Sequence, residues 1–166
     1  MRAIAADAGV DPSMVIRYFG SKDGLFEAAT DVDLALPDLT LVPVPDRGIT
    51  LARRFVELWD DPVTGEVLTL LLRAAPTSER AGERIRDVFA IQVLGMVRRV
   101  DAVADTAVAD TAAAADATRH RAGVLGAVIL GAALSRYVLR LPPMADASGE
   151  EVAASLAPVL QGVLAM

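Results

Sequence analysis

The sequence predicts an all-α protein, with a short helix-turn-helix head followed by a larger helical bundle. Three observations point there. Hydrophobic residues make up 54% of the chain but aromatics only 4%, the excess being mostly Ala, Val and Leu, and Ala and Leu favour helix. Helix start and stop signals recur along the chain while strand-like alternation barely appears. The one stretch that resembles a strand, TLVPVP, carries prolines that cannot donate to a ladder.

Each element follows from local signals. Residues 2–8 read as a short helix ending at Gly9, a natural C-cap. Asp11 is placed as an N-cap with Pro12 at the first helical position, opening a second helix that runs to about Phe19. Gly20 ends it and Ser21 caps a third, which the spacing of Leu25, Ala28, Ala29 and Val32 carries to about Leu34. These helices make a head of residues 1–34. Residues 35–49, broken by Pro37, Pro43, Pro45 and Gly48, read as a linker. The body, residues 50–166, opens with a helix placing Leu51, Phe55, Leu58 and Trp59 on one face. Asp61 caps the next, with Pro62 at its start and a buried stripe of Val63, Val67, Leu70, Leu71 and Ala74. Beyond Pro76 a long helix presents Ile85, Val88, Phe89, Gln92, Val93, Met96 and Val100. The Ala-rich stretch 101–116 reads as a weakly packed helix or a loose loop, Ala favouring the helix, and is followed by a helix over 117–140 that Pro142 and Pro143 stop. Ser148 and Glu151 have capping-box spacing and open a last helix ending near Leu164, with a kink expected at Pro158.

Composition excludes several chemistries. There is no cysteine and one histidine, His120, so disulfides, thiolate nucleophiles and multi-histidine metal sites are absent. No cofactor or metal is expected. No phosphate loop, dinucleotide fingerprint or Ser-His-Asp set appears, and Asp60, Asp61 and Glu66 mark a helix start rather than an acid pair, so an enzyme is not expected. The longest apolar run, Gly123–Leu134, falls short of the ~18 residues a membrane span requires and reads as a buried helix. With no signal peptide in view, a cytoplasmic location is expected. The net charge of −6 counts against nucleic-acid binding by bulk charge; any such binding must come from placement.

Two short helices around a tight Gly turn form a helix-turn-helix unit. The first must be small-sided so that the second can cross it closely, and Ala3, Ala5, Ala6 and Ala8 meet that need. In the second, Val15 and Phe19 lie four apart and face inward. Ser13, Met14 and Arg17 are left facing outward, where a major groove would lie.

The stretch IAADAGVDPSMVIRYFGSKDGLFEAA resembles the DNA-binding signature of the tetracycline-repressor (TetR) family: I-A-x-x-A-G-V, a short helix ending in Y-F, then S-K-x-x-L. Ile4, Ala5, Ala8, Gly9, Val10, Tyr18, Phe19, Ser21, Lys22, Leu25 and Phe26 all match without a gap. The resemblance implies that Ser13, Met14 and Arg17 read base edges. It implies that Tyr18 touches the phosphate backbone, and that Lys22, the only lysine, binds phosphate at a helix N-terminus. Ile16 departs from the family's usual aromatic. The family has a preceding helix that the sequence as given does not include, and this form is expected to bind DNA weakly or not at all, while a form that carries that helix binds it.

The resemblance extends to the body. RFVELWDDP, LLRAAPTSE and SRYVLRLPPMA are similar to one body subtype among actinobacterial TetR-like regulators. It implies a homodimer through 117–140 and 148–164, where Gly123, Ala127, Gly131 and Ala132 permit close contact, and a small-molecule effector pocket. Phe55, Trp59, Leu71, Phe89, Gln92, Met96 and Tyr137 are candidates for its wall; Arg73 and Arg136 are each open to an acidic effector or to an ordinary salt bridge with Asp or Glu, the salt bridge being favoured, and Arg73 is kept among the ligand-binding candidates. The implied function is a transcriptional repressor that binds an operator and is released by its effector. The alternative is a helical ligand-binding or dimerisation protein that has lost DNA binding through N-terminal truncation.

Overall fold

Capping chemistry sets the first helices of the computed structural model, which describes residues 1–104 and 111–166. They are α1 (Arg2–Asp7), α2 (Pro12–Phe19) and α3 (Lys22–Ala29). Asp11 accepts from the Ser13 N–H at 2.7 Å and Ser21 Oγ from the Gly24 N–H at 3.0 Å, each satisfying a donor that a helix start leaves free. Gly9 and Gly20, which end α1 and α2, have φ of +68° and +70°, a region that penalises any Cβ. α3 stops well short of the expected Leu34. The Thr30 hydroxyl donates to the Phe26 carbonyl at 2.7 Å, and the run Thr30–Asp31–Val32–Asp33 consists of β-branched and carboxylate residues that form helix poorly. The chain divides into two units, Met1–Asp33 and Leu34–Met166.

The second unit is a helical bundle, and it includes the proline-rich stretch. Leu39 is 1% exposed in the main core, with Leu34, Leu36 and Val42 packed against it. A 3-10 turn at Val44–Asp46 leads into α4 (Arg47–Asp60), which begins three residues ahead of the expected Thr50. The apolar face of α4, with Leu51, Phe55, Leu58 and Trp59 buried, lies against the last helix, α9 (Gly149–Leu164), which buries Val152, Leu156, Leu160 and Val163. Gly48 makes the close approach possible: a Cβ there would strike the Ala157 carbonyl oxygen and lie 2.7 Å from Gln161 Cβ. Gln161 fastens the same joint, accepting from the Gly48 N–H at 2.7 Å and donating to the Val44 carbonyl at 2.9 Å. The capping box at Ser148 and Glu151 is formed, and Pro158 lies within α9.

Asp61 caps α5 (Thr64–Ala74), accepting from the Val63 and Thr64 N–H groups at 3.0 and 2.6 Å. The expected stripe on α5 is narrower than the sequence suggests. Leu71 is buried, but Val63 and Leu70 are 72% and 59% exposed. Val63 precedes the first turn, and Leu70 is rotated by about 100° from Leu71.

The long helix expected beyond Pro76 is interrupted. α6 (Glu79–Val88) passes through a π turn, Phe89–Val93, into α7 (Leu94–Ala104). The π turn inserts a residue into the i→i−4 ladder and shifts the phase of the apolar face, so that Met96, Val97 and Val100 are buried in the core. Of the helix expected over 101–116, residues 105–110 lie outside the described part. Thr111 is extended and caps a new helix, accepting from the Ala114 N–H at 3.2 Å. That helix, α8 (Ala112–Ala133), ends in a second π turn, Leu134–Val138. An ion pair between Arg121 and Asp101, with the Thr118 hydroxyl donating to Asp101 at 2.6 Å, ties α8 to α7.

Candidate nucleic-acid interface and effector cavity

On α2 successive residues are turned by about 100°, which puts Ser13, Arg17 and Met14 within one arc and Val15 and Phe19 on the opposite side. Burial follows that geometry for Val15, 7% exposed, while Ser13, Met14, Arg17, Tyr18 and Lys22 are all exposed. Phe19 departs from the expectation, being 38% exposed. It is the last residue of α2, where the helix gives way to Gly20, and α1, α2 and α3 bury only Ala5 and Val15 among their own residues. Lys22 and Asp23 open α3 behind the Ser21 cap, so the lysine stands at a helix end whose free amides favour an anion.

The body holds a partly open cavity of about 120 Å³. α4 contributes Leu51, Phe55, Leu58 and Trp59. The α6–π–α7 segment contributes Phe89, Val93 and Met96 among others, α8 contributes Leu125 and Gly126, and Leu34 and Leu36 close one side. Among the described residues no charged side chain lines the wall. An apolar pocket of this order suits a small aromatic molecule.

Of the residues expected at the wall, Phe55, Trp59, Leu71, Phe89 and Met96 are there. Arg73, Gln92 and Tyr137 are not. Arg73 is exposed in the last turn of α5, where a cation complements the helix dipole. Gln92 Oε1 accepts from the Leu34 N–H at 2.7 Å. Tyr137 stacks on Trp59 at 5.3 Å and donates to Asp60 at 2.8 Å; burial first, then that hydrogen bond, pushes its phenol up to about 12. Among the described residues Arg136 has no carboxylate partner. Its guanidinium donates to the carbonyls of Met144 and Ala147 at 2.6 and 2.8 Å and lies over the Tyr137 ring, which anchors the loop ahead of α9. Sequence reasoning missed Leu34 and Leu36, whose proline-rich surroundings carry no helical period. It also missed Gly126, whose signal is only that a glycine faces an aromatic ring.

α8 is apolar on two sides. The stretch Ala112–Val138 is long and apolar enough to cross a membrane by length and composition, with an 18-residue window of mean hydropathy 1.3, yet only 28% of that window is buried. Ala122, Leu125, Ala132 and Ala133 face the core. Gly123, Ala127, Gly131 and Leu134 are exposed at helical spacing, and a Cβ at Gly123 or Gly131 would meet nothing within 4 Å. On α9, Val159 and Gly162 are likewise exposed. One such helix does not make a membrane protein.

An exposed recognition-type helix on a small head and a helical body holding an apolar cavity define a helix-turn-helix regulator. The family comparisons agree. Residues 1–29 match the model of the bacterial regulatory proteins of the tetR family, and residues 46–164 match the tetracyclin repressor-like C-terminal domain. The chain belongs to the TetR family, and is thereby a DNA-binding transcription regulator and not an enzyme. A TetR-family regulator from Streptomyces coelicolor A3 has a similar fold, with a TM-score of 0.57 at 21% identity, covering 98% of this chain and 81% of that one. No curated protein matches the chain significantly.

Proposed function

We propose that the chain is a cytoplasmic repressor that binds a duplex operator as a homodimer and is released by a small, uncharged, apolar effector. The observation that carries the reading is the turn of α2, which buries Val15 and leaves Ser13, Met14 and Arg17 outward together. Ser13, Met14 and Arg17 read base edges, and Tyr18 and Lys22 hold phosphates. Residues 1–33 form the DNA-binding part, and residues 34–166, with the proline-rich stretch packed into their core, form the effector and dimerisation part. Two copies join through 117–140 and 148–164, whose outward small and apolar residues want cover. Two heads then meet half-sites about 34–36 Å apart. Phe55, Trp59, Phe89 and Met96 contact the effector. A charge in so apolar a wall would lack any partner, which favours a neutral ligand.

The test is selection of binding sites from a random duplex pool, followed by gel-shift titration with and without benzene. A palindromic site released by benzene is the expected result. Recovery of no preferred sequence would overturn the operator reading, and activation of a reporter promoter from the selected site would overturn repression.

A further inference from the structure

Among the described residues of the cavity wall, Trp59 alone has a side chain that carries a hydrogen-bond donor. The others are aliphatic residues, phenylalanines, a glycine and the thioether of Met96. Trp59 is the only tryptophan of the chain and is 8% exposed. Rings hold its ring. Tyr137 stacks on it at 5.3 Å with 21° between the planes, and Phe55 lies 6.0 Å away, tilted by 41°. Tyr137 is itself fixed, by its hydrogen bond to Asp60 and by the Arg136 guanidinium over its ring. With one face against Tyr137, the indole has its other face and its edges left for the cavity. Among the described residues the indole N–H meets no acceptor, although a tryptophan this buried usually finds one. The described side-chain nitrogens that are fully buried without a partner are Arg121 Nε and Arg136 Nε, so the Trp59 nitrogen keeps some open surface.

We propose that the Trp59 indole N–H is the polar contact of the cavity, and that its ligand is a neutral, largely apolar molecule carrying a hydrogen-bond acceptor, of the class of ketones, esters and ethers. The inference rests on the cavity being the effector site. A buried donor is costly when unpaired, and a site that holds one discriminates against ligands that cannot satisfy it. A hydrocarbon binds there through its apolar surface alone and leaves the N–H unmet. A ligand of the same outline that sets a carbonyl oxygen against the N–H satisfies it. The wall's side chains return no strong acceptor, the Met96 sulfur being a weak one, so a ligand's own O–H or N–H finds no side-chain partner among the described residues. Stacking on Tyr137 fixes the direction of the N–H before the ligand arrives, which lowers the ordering cost of the bond.

Acetophenone and α-methylstyrene share one outline and differ in a carbonyl oxygen against a methylene. Both are titrated into the whole chain beside benzene, with affinity read by isothermal titration and the single indole N–H followed by proton–nitrogen NMR. Acetophenone should bind at least as tightly as α-methylstyrene, although taking its carbonyl from water costs more. It should also move the indole proton downfield of its position with α-methylstyrene, the phenyl ring being common to both. Trp59→Phe keeps a ring and removes the donor, and should lower acetophenone affinity relative to α-methylstyrene by about tenfold or more. The NMR comparison uses the unmodified chain and decides the matter where that variant does not fold. Binding of neither benzene nor either probe would overturn the effector-cavity reading, and this inference with it. Benzene bound with acetophenone rejected, an indole proton that moves alike with both probes, or an unchanged preference in Trp59→Phe would overturn the donor role alone.

Discussion

Gly126 of α8 and the Phe89 ring of the first π turn meet so closely that a Cβ at position 126 would lie 2.7 Å from Phe89 Cε2. Both residues line the cavity, so the missing side chain at 126 determines where the ring can rest. Gly126→Ala must therefore displace Phe89. The gain in helix propensity, about 1 kcal/mol, is offset by overpacking of ~1–3 kcal/mol, so the fold should survive with stability lowered slightly. Benzene affinity should fall about tenfold, which a loss of ~1.4 kcal/mol suffices to produce. Isothermal titration checks it, and unchanged affinity would contradict the placement of the ring at the wall.

Arg17 and Lys22 should fail in different ways. On the base-reading assignment, Arg17→Ala costs about 1–3 kcal/mol and relaxes preference at one base pair of each half-site. Lys22→Ala weakens binding to every sequence alike and lowers the salt slope by about 1 for each head. Competition assays against single-base variants at several salt concentrations distinguish them. Equal loss of sequence preference in both variants would refute the division of roles.

The outward face of α8 and α9 gives a prediction about assembly. Gly131 and Gly162 have open space where a side chain would stand, and Val159, three residues before Gly162 on α9, is 48% exposed. A Gly131→Arg or Val159→Glu substitution should leave the helical content intact and yield a monomer in analytical ultracentrifugation. A dimer that withstands both would locate the interface elsewhere.

Gly48 should be the glycine least tolerant of substitution in the α4–α9 joint. Its Cβ would meet backbone, the Ala157 carbonyl and the Gln161 N–H, rather than a movable side-chain tip. The two helices would have to separate, taking Leu160, fully buried on α9, away from its packing. A loss of ~2–4 kcal/mol is expected, the range seen when core packing is disrupted. Urea unfolding of Gly48→Ala measures it, and a change under about 1 kcal/mol would show that the joint can relax.

Acid should weaken the helix starts. Asp11 is held below its usual 3.8 first by the Ser13 hydroxyl and then by the Ser13 N–H. Asp61 is lowered from 3.8 first by the Thr64 N–H, and Glu151 from 4.5 first by the Ser148 hydroxyl. A carboxylate whose folded value is depressed contributes stability that is complete above its unfolded value and is lost as pH falls through the folded one. The melting temperature should therefore hold steady above about pH 5 and drop below about pH 4. Asp61→Asn keeps a capping oxygen without the charge, so its melting curve should depend less on acid than that of the unmodified chain.

By itself the sequence determined what is local. Asp11, Ser21, Asp61 and Ser148 mark their helix starts because a cap is settled by one side chain and an amide two or three residues on. The gapless stretch Ile4–Phe26 was enough to point to the family that the comparisons then showed. Tertiary structure decided what depends on neighbours far along the chain. The π turn at Phe89–Val93 shifted the helix face, leaving Phe89 on the cavity and taking Gln92 to the Leu34 backbone. Leu34 and Leu39 turned inward from a stretch with no period, and Arg136 found carbonyls rather than a carboxylate. An apolar residue is attracted equally to any apolar surface, and a polar one to any partner of suitable geometry. Only the packed arrangement of all the helices selects which surface and which partner each one meets.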